Sequence, residues 1–271
     1  PEVIEELKRK EEGSSADVIE MHVKSHADTL ITVSELAKLT ALSPEEVEQD
    51  VKELEEQGSI YVFPMRKDTY VWHSDSAREA EHTLLKALKE YEEKYPYRYG
   101  MKKAEVQTTY FKKIKPNVYD KILTLLEEKG SIKRIDEFLC TTEYEVRKDK
   151  IYDKVSKIML DTFGKAKFDF ARYSEITCKD VSQDIMDDIL NILLEEKQIV
   201  KINDEMYTLT SYMETAKEKI REHLKDDPLI TIAQVRDMFE TSRKSAKPIL
   251  EYMDSIKVTK KTGAESERVA Y

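Results

Sequence analysis

The sequence predicts a mainly helical protein with small β-hairpins, assembled from four copies of one unit. Three observations predict this. One pattern recurs four times: "LEEQGSIYVF" from Leu54, "LEEKGSIKRI" from Leu126, "LEEKQIVKIN" from Leu194 and "LEYMDSIKVT" from Leu250. Each copy ends a helical stretch, turns tightly and enters a β-branched run. The stretch before each turn carries an apolar stripe at helical spacing: Val47, Val51 and Leu54; Val118, Ile122, Leu125 and Leu126; Ile185, Ile189, Ile192 and Leu193; Ala246, Ile249, Leu250 and Met253. Residues so spaced share one helix face, so each stripe is buried and the opposite face is solvated. The start-to-start spacings of 72, 68 and 56 residues suit four small domains better than a short-period solenoid.

The other elements follow in chain order. One or two shorter helices precede each main helix. In "ITVSELAKLTALSPEEVEQDVKELEE" Ser34 caps one helix and Ser43 the next, with Pro44 at a first position where its missing N–H costs nothing. A hairpin follows each main helix. "SIYVFPMRKDTYVWH" turns at residues 65–68, "QIVKINDEMYTLT" at Asn203, Asp204 and Glu205, and "SIKVTKKTGAESERVAY" around Gly263, while "SIKRIDEFLCT" has the least obvious turn. Helices followed by a β-hairpin make the winged-helix variant of helix-turn-helix. Four tandem winged helices are expected, over 1–75, 76–147, 148–212 and 213–271. The joining segments "SDSAREAEHTLL" and "SYMETAKEKI" read as helical, which implies a stiff, elongated array rather than beads on floppy linkers. The opening "EVIEELKRKEE" reads as the middle of a helix and begins at Pro1 without a Met, as expected of a piece of a longer protein.

Composition excludes several function classes. Of 271 residues 40% are hydrophobic and 37% charged, and no apolar run is long enough to cross a membrane. Neither a signal peptide nor a membrane partner is expected. Cys140 and Cys178 lack the spacing and the companions of a structural zinc site and read as ordinary thiols. The six glycines form neither GxxxxGK[ST] nor GxGxxG, so no backbone cradle for a nucleotide phosphate is expected. His22 and His26 stand at i, i+4, but no third metal ligand is evident, and no nucleophile motif appears. An enzyme is not expected, and neither a metal nor a cofactor is expected in this chain.

Charge then separates the four units. The formal net charge of −10 resolves into −10 for residues 1–75, −1 for 76–212 and +1 for 213–271, and residues 241–271 alone carry +3. The first main helix holds Glu45, Glu46, Glu48, Asp50, Glu53, Glu55 and Glu56, which repel a phosphate backbone. That unit is expected to be a spacer or a protein contact. In "TSRKSAKPILEYMDSIKVTKK" the basic residues collect instead at the helix start, where the helix dipole also favours an anion. At about 100° per residue, Arg243 and Lys247 share a flank of the apolar stripe and Lys244 lies further round. Ser242 or Thr241 is the expected N-cap, Lys260 and Lys261 come from the wing, and Arg268 from its return strand. Pro248 inside this helix predicts a kink there or a later helix start.

The same residues carry a resemblance. "TIAQVRDMFETSRKSAKPILEYMDSIKVTKK" resembles the last winged helix of the bacterial selenocysteine-specific elongation factor family, SelB, through Arg236, the Ser242-Arg243-Lys244 step, Leu250-Glu251-Tyr252-Met253-Asp254 and Thr259-Lys260-Lys261. A second anchor is Pro96-Tyr97-Arg98-Tyr99-Gly100-Met101, similar to the family's Pro-Leu-Arg-x-Gly-Met. Lys260-Lys261 stand where the family often has Arg-Arg, which puts bidentate or stacking contacts there in doubt, since Lys acts as a point charge. Tyr252-Met253 also departs from the family's aromatic position.

The resemblance implies an L-shaped C-terminal extension of four winged helices, the last of which (213–271) holds the SECIS mRNA hairpin that recodes UGA. It further implies GTPase domains elsewhere that carry GTP and selenocysteinyl-tRNA, a ribosome as partner, a cytoplasmic location and a monomer. Arg243, Lys244 and Lys247 are then expected at loop phosphates and bases, Lys260 and Lys261 at backbone, and Arg236, Ser242 and Arg268 as further contacts. RNA loops with splayed bases are read in preference to the narrow major groove, which suits one basic tip on an acidic chain. A DNA-binding regulator and a tandem winged-helix scaffold for protein assembly are the competing classes. Against the regulator stand the acidic total and the lack of a heptad seam for a dimer.

Overall fold

The computed structural model describes residues 13–271, so the opening helical segment expected from "EVIEELKRKEE" lies outside the described residues. The chain divides into two compact units, Pro1–Glu145 and Val146–Tyr271. Each unit holds two repeats of one element order.

In the first unit the first repeat is α1 (Ser15–Ser25), β1 (Ile31–Thr32), α2 (Val33–Thr40), α3 (Pro44–Glu56), β2 (Ile60–Pro64) and β3 (Thr69–His73). The second is α4 (Ser74–Lys94), β4 (Met101–Lys102), α5 (Lys103–Tyr110), α6 (Pro116–Glu128), β5 (Ile132–Ile135) and β6 (Phe138–Thr141). In the second unit the third repeat is α7 (Lys150–Ala166), a 3-10 turn (Lys167–Asp169), β7 (Ala171–Arg172), a second 3-10 turn (Tyr173–Glu175), α8 (Gln183–Glu195), β8 (Ile199–Lys201) and β9 (Met206–Leu209). The fourth is α9 (Thr210–Asp226), β10 (Ile230–Thr231), α10 (Ile232–Met238), α11 (Arg243–Ser255), β11 (Thr259–Lys261) and β12 (Glu267–Ala270).

Every hairpin gains a third strand that the sequence does not announce. The sheets are antiparallel, in the orders β1-β3-β2, β4-β6-β5, β7-β9-β8 and β10-β12-β11. The added strands are two residues long, too short to display the alternation that marks a strand. The third repeat also departs from the expectation of a short helix before the main one, having only a 3-10 turn there.

The apolar stripes face the interior as expected. Val47, Val51 and Leu54 pack with Ile19, Leu36 and Val71 in the first repeat. Ile122 and Leu126 pack with Leu84, Leu88 and Trp72, so the second core takes an aromatic from the first repeat. Ala246, Ile249, Leu250 and Met253 pack with Ile220, Ile230 and Val235. The segments expected as stiff joiners are the first helices of the next repeat: α4 starts directly after β3, and α9 directly after β9.

Capping follows the sequence in one place and corrects it in another. Ser43 caps α3, its hydroxyl accepting from Glu46 N while the Glu46 carboxylate accepts from Ser43 N. Ser34 does not cap α2. Thr32 does, in the same reciprocal arrangement with Glu35, and Ser34 sits inside the first turn. Pro248 does not delay its helix: α11 runs from Arg243 to Ser255 with Pro248 inside it.

The turn after each main helix is the same in all four repeats, in a register that corrects the sequence alignment of the last two. Ser59 N donates to Leu54 O, Ser131 N to Leu126 O, Gln198 N to Leu193 O and Val258 N to Met253 O, each at 2.9–3.0 Å. Leu193 and Met253, rather than Leu194 and Leu250, are therefore the equivalents of Leu54. The residue before each donor adopts a left-handed conformation: Gly58 and Gly130 in the first unit, but Lys197 (φ 55°) and Lys257 (φ 57°) in the second. A Cβ disfavours this conformation and glycine does not. Lys197→Gly is expected to stabilise the second unit by about 0.5–1 kcal/mol net of the added freedom of the unfolded chain. Urea denaturation would reveal the gain; an equal or lower midpoint would mean that the lysine stem makes compensating contacts.

Candidate nucleic-acid interface

The four main helices differ most in their first turns. The first turn of α3 contains Glu45 and Glu46, and that of α8 contains Asp184. Those of α6 and α11 contain no acid. In α6 the nearby lysines are engaged within the first unit: Lys113 bonds to Asp28 at 2.8 Å, Lys115 to the Tyr70 hydroxyl at 2.8 Å, and Lys103 pairs with Asp120. Among the described residues, α11 alone of the four main helices has an acid-free first turn that itself carries cations, Arg243 and Lys244, both exposed.

Ser242 caps α11, its hydroxyl accepting from Ser245 N at 3.2 Å. The alternative cap, Thr241, is used elsewhere. Its hydroxyl bonds to Phe168 O at 3.0 Å and to the Asp169 carboxylate at 2.5 Å, and Ser245 Oγ donates to Asp169 O at 3.3 Å. Phe168 also stacks against Phe239, centroids 4.5 Å apart. The 3-10 turn of the third repeat thus brackets the start of α11. Its first residue, Lys167, and the residue that follows it, Phe170, both have positive φ, backbone that persists only where surrounding contacts hold it.

Arg243 and Lys244 follow the cap, exposed and without an ion pair among the described residues. Lys247, one turn on, is occupied: its ammonium lies 3.3 Å from a Glu265 oxygen and 3.8 Å from Glu251. Arg236 is exposed at the end of α10 and pairs with its neighbour Asp237 at 2.7 Å. Lys260 and Lys261 are exposed on β11, Lys261 in register with Arg268.

Arg268 corrects the sequence expectation. It has no exposed surface. Its Nε donates to Asp254 Oδ2 at 2.7 Å, and its Nη1 donates to Glu265 O at 2.7 Å and Glu267 O at 3.1 Å. Asp254 Oδ1 meanwhile accepts from Thr259 Oγ1 at 2.7 Å. The guanidinium is therefore an internal strut between the end of α11 and the base of the wing, and it cannot reach a ligand. An arginine on a two-sided strand looks the same in sequence whichever face it takes. The signal for the inward facing is Asp254, near the end of α11, whose carboxylate accepts from the guanidinium.

The remaining groups support no second site. His26 Nδ1 lies 2.8 Å from His22 O, and no cluster of three metal-ligating side chains occurs among the described residues. Both cysteines are buried thiols, and burial pushes Cys140 up to about 11.

Three helices, with a 3-10 turn for one of them in the third repeat, and a three-stranded sheet whose last two strands form a wing define a tandem winged-helix protein. Two segments match family models described as "Elongation factor SelB, winged helix": residues 85–139, in the second repeat, and 222–266, which include the whole of α11 and the start of the wing. These two repeats resemble winged helices of SelB, and the chain resembles the winged-helix region of that factor. A selenocysteine-specific elongation factor from Desulfomicrobium baculatum is 23% identical over 239 residues, 86% of this chain. This chain spans 37% of that relative's length. Among solved structures, a bacterial selenocysteine-specific elongation factor matches 78% of this chain and 32% of its own at 15% identity, TM-score 0.43. The mRNA-binding domain of E. coli SelB, solved with SECIS RNA, matches 33% of this chain and 73% of its own at 23% identity, TM-score 0.31.

Proposed function

We propose that the fourth repeat binds an mRNA hairpin of the SECIS kind, and that the chain is the mRNA-binding part of a selenocysteine-specific elongation factor. The observation that carries this is the acid-free first turn of α11, with Arg243 and Lys244 exposed and without an ion pair among the described residues, beside a wing bearing Lys260 and Lys261. Backbone N–H groups at a helix start and flanking cations attract phosphate. The family match over 222–266 supports the same repeat. Ser242 fixes the geometry of the turn, Arg243 and Lys244 make the leading contacts, and Lys247, Lys260 and Lys261 add phosphate contacts. Arg236 assists from α10.

On this reading GTP hydrolysis and selenocysteinyl-tRNA belong to other domains of the full-length factor. The ribosome is the site of action, the location is cytoplasmic, the chain is monomeric and it catalyses nothing itself. The proposed module limits are 1–75, 76–147, 148–212 and, for the RNA-binding module, 213–271.

The test is fluorescence anisotropy of the full chain with the SECIS hairpin of the host's own selenoprotein mRNA, a loop-mutant hairpin and duplex DNA. Selective hairpin binding is expected. Arg243→Ala and Lys244→Ala should each weaken it about three- to tenfold at low salt and reduce the slope of log affinity against log salt by about one. Equal affinity for all three ligands, or none, would overturn the reading.

A further inference from the structure

An acid of the wing stands against the proposed phosphate-binding face. Glu265 lies at the wing tip, 3.3 Å from the Lys247 ammonium. The hydrogen bond from Lys247 and its charge, followed by the charges of Lys261 and Arg268, hold the Glu265 carboxyl below the usual carboxylate range. Two of these cations, Lys247 and Lys261, are the lysines that join the helix side of the site to the wing side.

The position of this carboxylate is set by the fold. The buried Arg268 guanidinium donates to the backbone oxygen of Glu265 at 2.7 Å. The next residue is pinned too, since Ser266 O accepts from Ile232 N at 3.1 Å. Within the tip, Glu267 N donates to Ala264 O at 3.2 Å. The backbone on both sides of the carboxylate is therefore anchored, and Lys247 is the nearest cation. Its other neighbour, Glu251, lies 3.8 Å from Lys247 and adds a second negative charge to the same ammonium.

We propose that Glu265 is a built-in competitor for RNA phosphate: it neutralises Lys247 in the free protein, and a phosphate takes that lysine only by displacing it. This rests on the RNA-binding reading above. A carboxylate offers a lysine the same anionic oxygens as a phosphate, so the two exclude one another at one ammonium. An exposed pair of this kind is weak, which makes it displaceable. While it stands, Lys247 is already neutralised and contributes little to counterion release when a nucleic acid approaches. Glu265 thereby lowers the affinity of the tip for any passing phosphate backbone. Only a ligand with further contacts, at Arg243, Lys244 and the wing, gains enough to open the pair.

The experiment uses the full chain, the same host hairpin and a perfectly paired RNA duplex, titrated at several salt concentrations. Glu265→Gln is compared with Glu218→Gln, which removes the same charge from an exposed position on α9. For Glu265→Gln an affinity gain of about two- to fivefold is expected, with the salt slope steeper by about one because Lys247 now releases a counterion on binding. Lys247→Met should abolish that gain when combined with it. Glu218→Gln should change neither quantity. If wild type binds the hairpin but Glu265→Gln leaves affinity and slope unchanged, or matches Glu218→Gln, the competitor role is wrong and the RNA-binding reading stands. If wild type binds neither RNA, that reading fails and this inference fails with it.

Discussion

Arg268→Ala should remove about 3–5 kcal/mol from the stability of the second unit, an effect far larger than the loss of a surface contact. The guanidinium is fully buried and neutralises Asp254. Truncation leaves the Asp254 carboxylate half-buried without its charge partner, and it strips Glu265 O of the guanidinium donor, while Glu267 O keeps only Thr262 N at 3.4 Å. The part-buried acceptor that loses its donor adds a desolvation cost. Arg268→Lys should recover only part, since one ammonium cannot span the carboxylate and two carbonyls with the geometry of a guanidinium. Asp254→Asn keeps the Thr259 bond but leaves the fully buried guanidinium without a counter-charge, so it should be comparably destabilising. Urea denaturation of the full chain, followed by a probe in residues 146–271, measures all three. An Arg268→Ala protein that unfolds like wild type yet loses RNA would restore the sequence expectation that this arginine is a contact residue.

That arginine marks the limit of what the sequence could say. The main helices were legible because their apolar residues fall at a spacing that only a helix turns into one face. Val47, Val51 and Leu54 are all buried, and so are Ala246, Ile249, Leu250 and Met253. The basic start of α11 was legible for a similar reason: Ser242, Arg243 and Lys244 are consecutive, so their placement needs no long-range contact. What failed depended on pairing across the chain. The facing of Arg268 is decided by Asp254, fourteen residues earlier, and the occupation of Lys247 by Glu265, eighteen residues later. Lys261 and Arg268 are register partners, yet one is solvated and the other enclosed. A hydroxyl competition misled the reading of α2, where Thr32 and Ser34 both precede a helical pattern and only Thr32 has Glu35 three residues on. Copies three and four slipped in alignment because a lysine fills the left-handed position that Gly58 and Gly130 mark in copies one and two.

Gly100→Ala should destabilise the first unit by about 3–5 kcal/mol, and here a single methyl group is responsible. Gly100 adopts φ +141°, which L side chains rarely take. A Cβ at this position would lie 2.1 Å from Leu139 O, 2.7 Å from Leu139 C and 3.2 Å from Cys140 Cβ. The obstacle is backbone, and it is fixed: Leu139 pairs with Met101 across β4 and β6 and with Arg134 across β5 and β6. It is also among the fully buried residues of the core shared by the first two repeats. Relief would require separating β4 from β6, and Thr141 on β6 is in turn held by Glu92 of α4 through its backbone N–H at 2.6 Å and its hydroxyl at 2.8 Å. Gly58→Ala is the matched control. It too has positive φ, +75°, but a Cβ there meets nothing within 4 Å, so only the conformational cost of about 1 kcal/mol remains. Thermal or urea unfolding of the two variants should therefore separate them by several-fold in free energy. Equal losses would mean that β4 moves away from β6 without cost, and that the short third strand contributes nothing to holding the second repeat together.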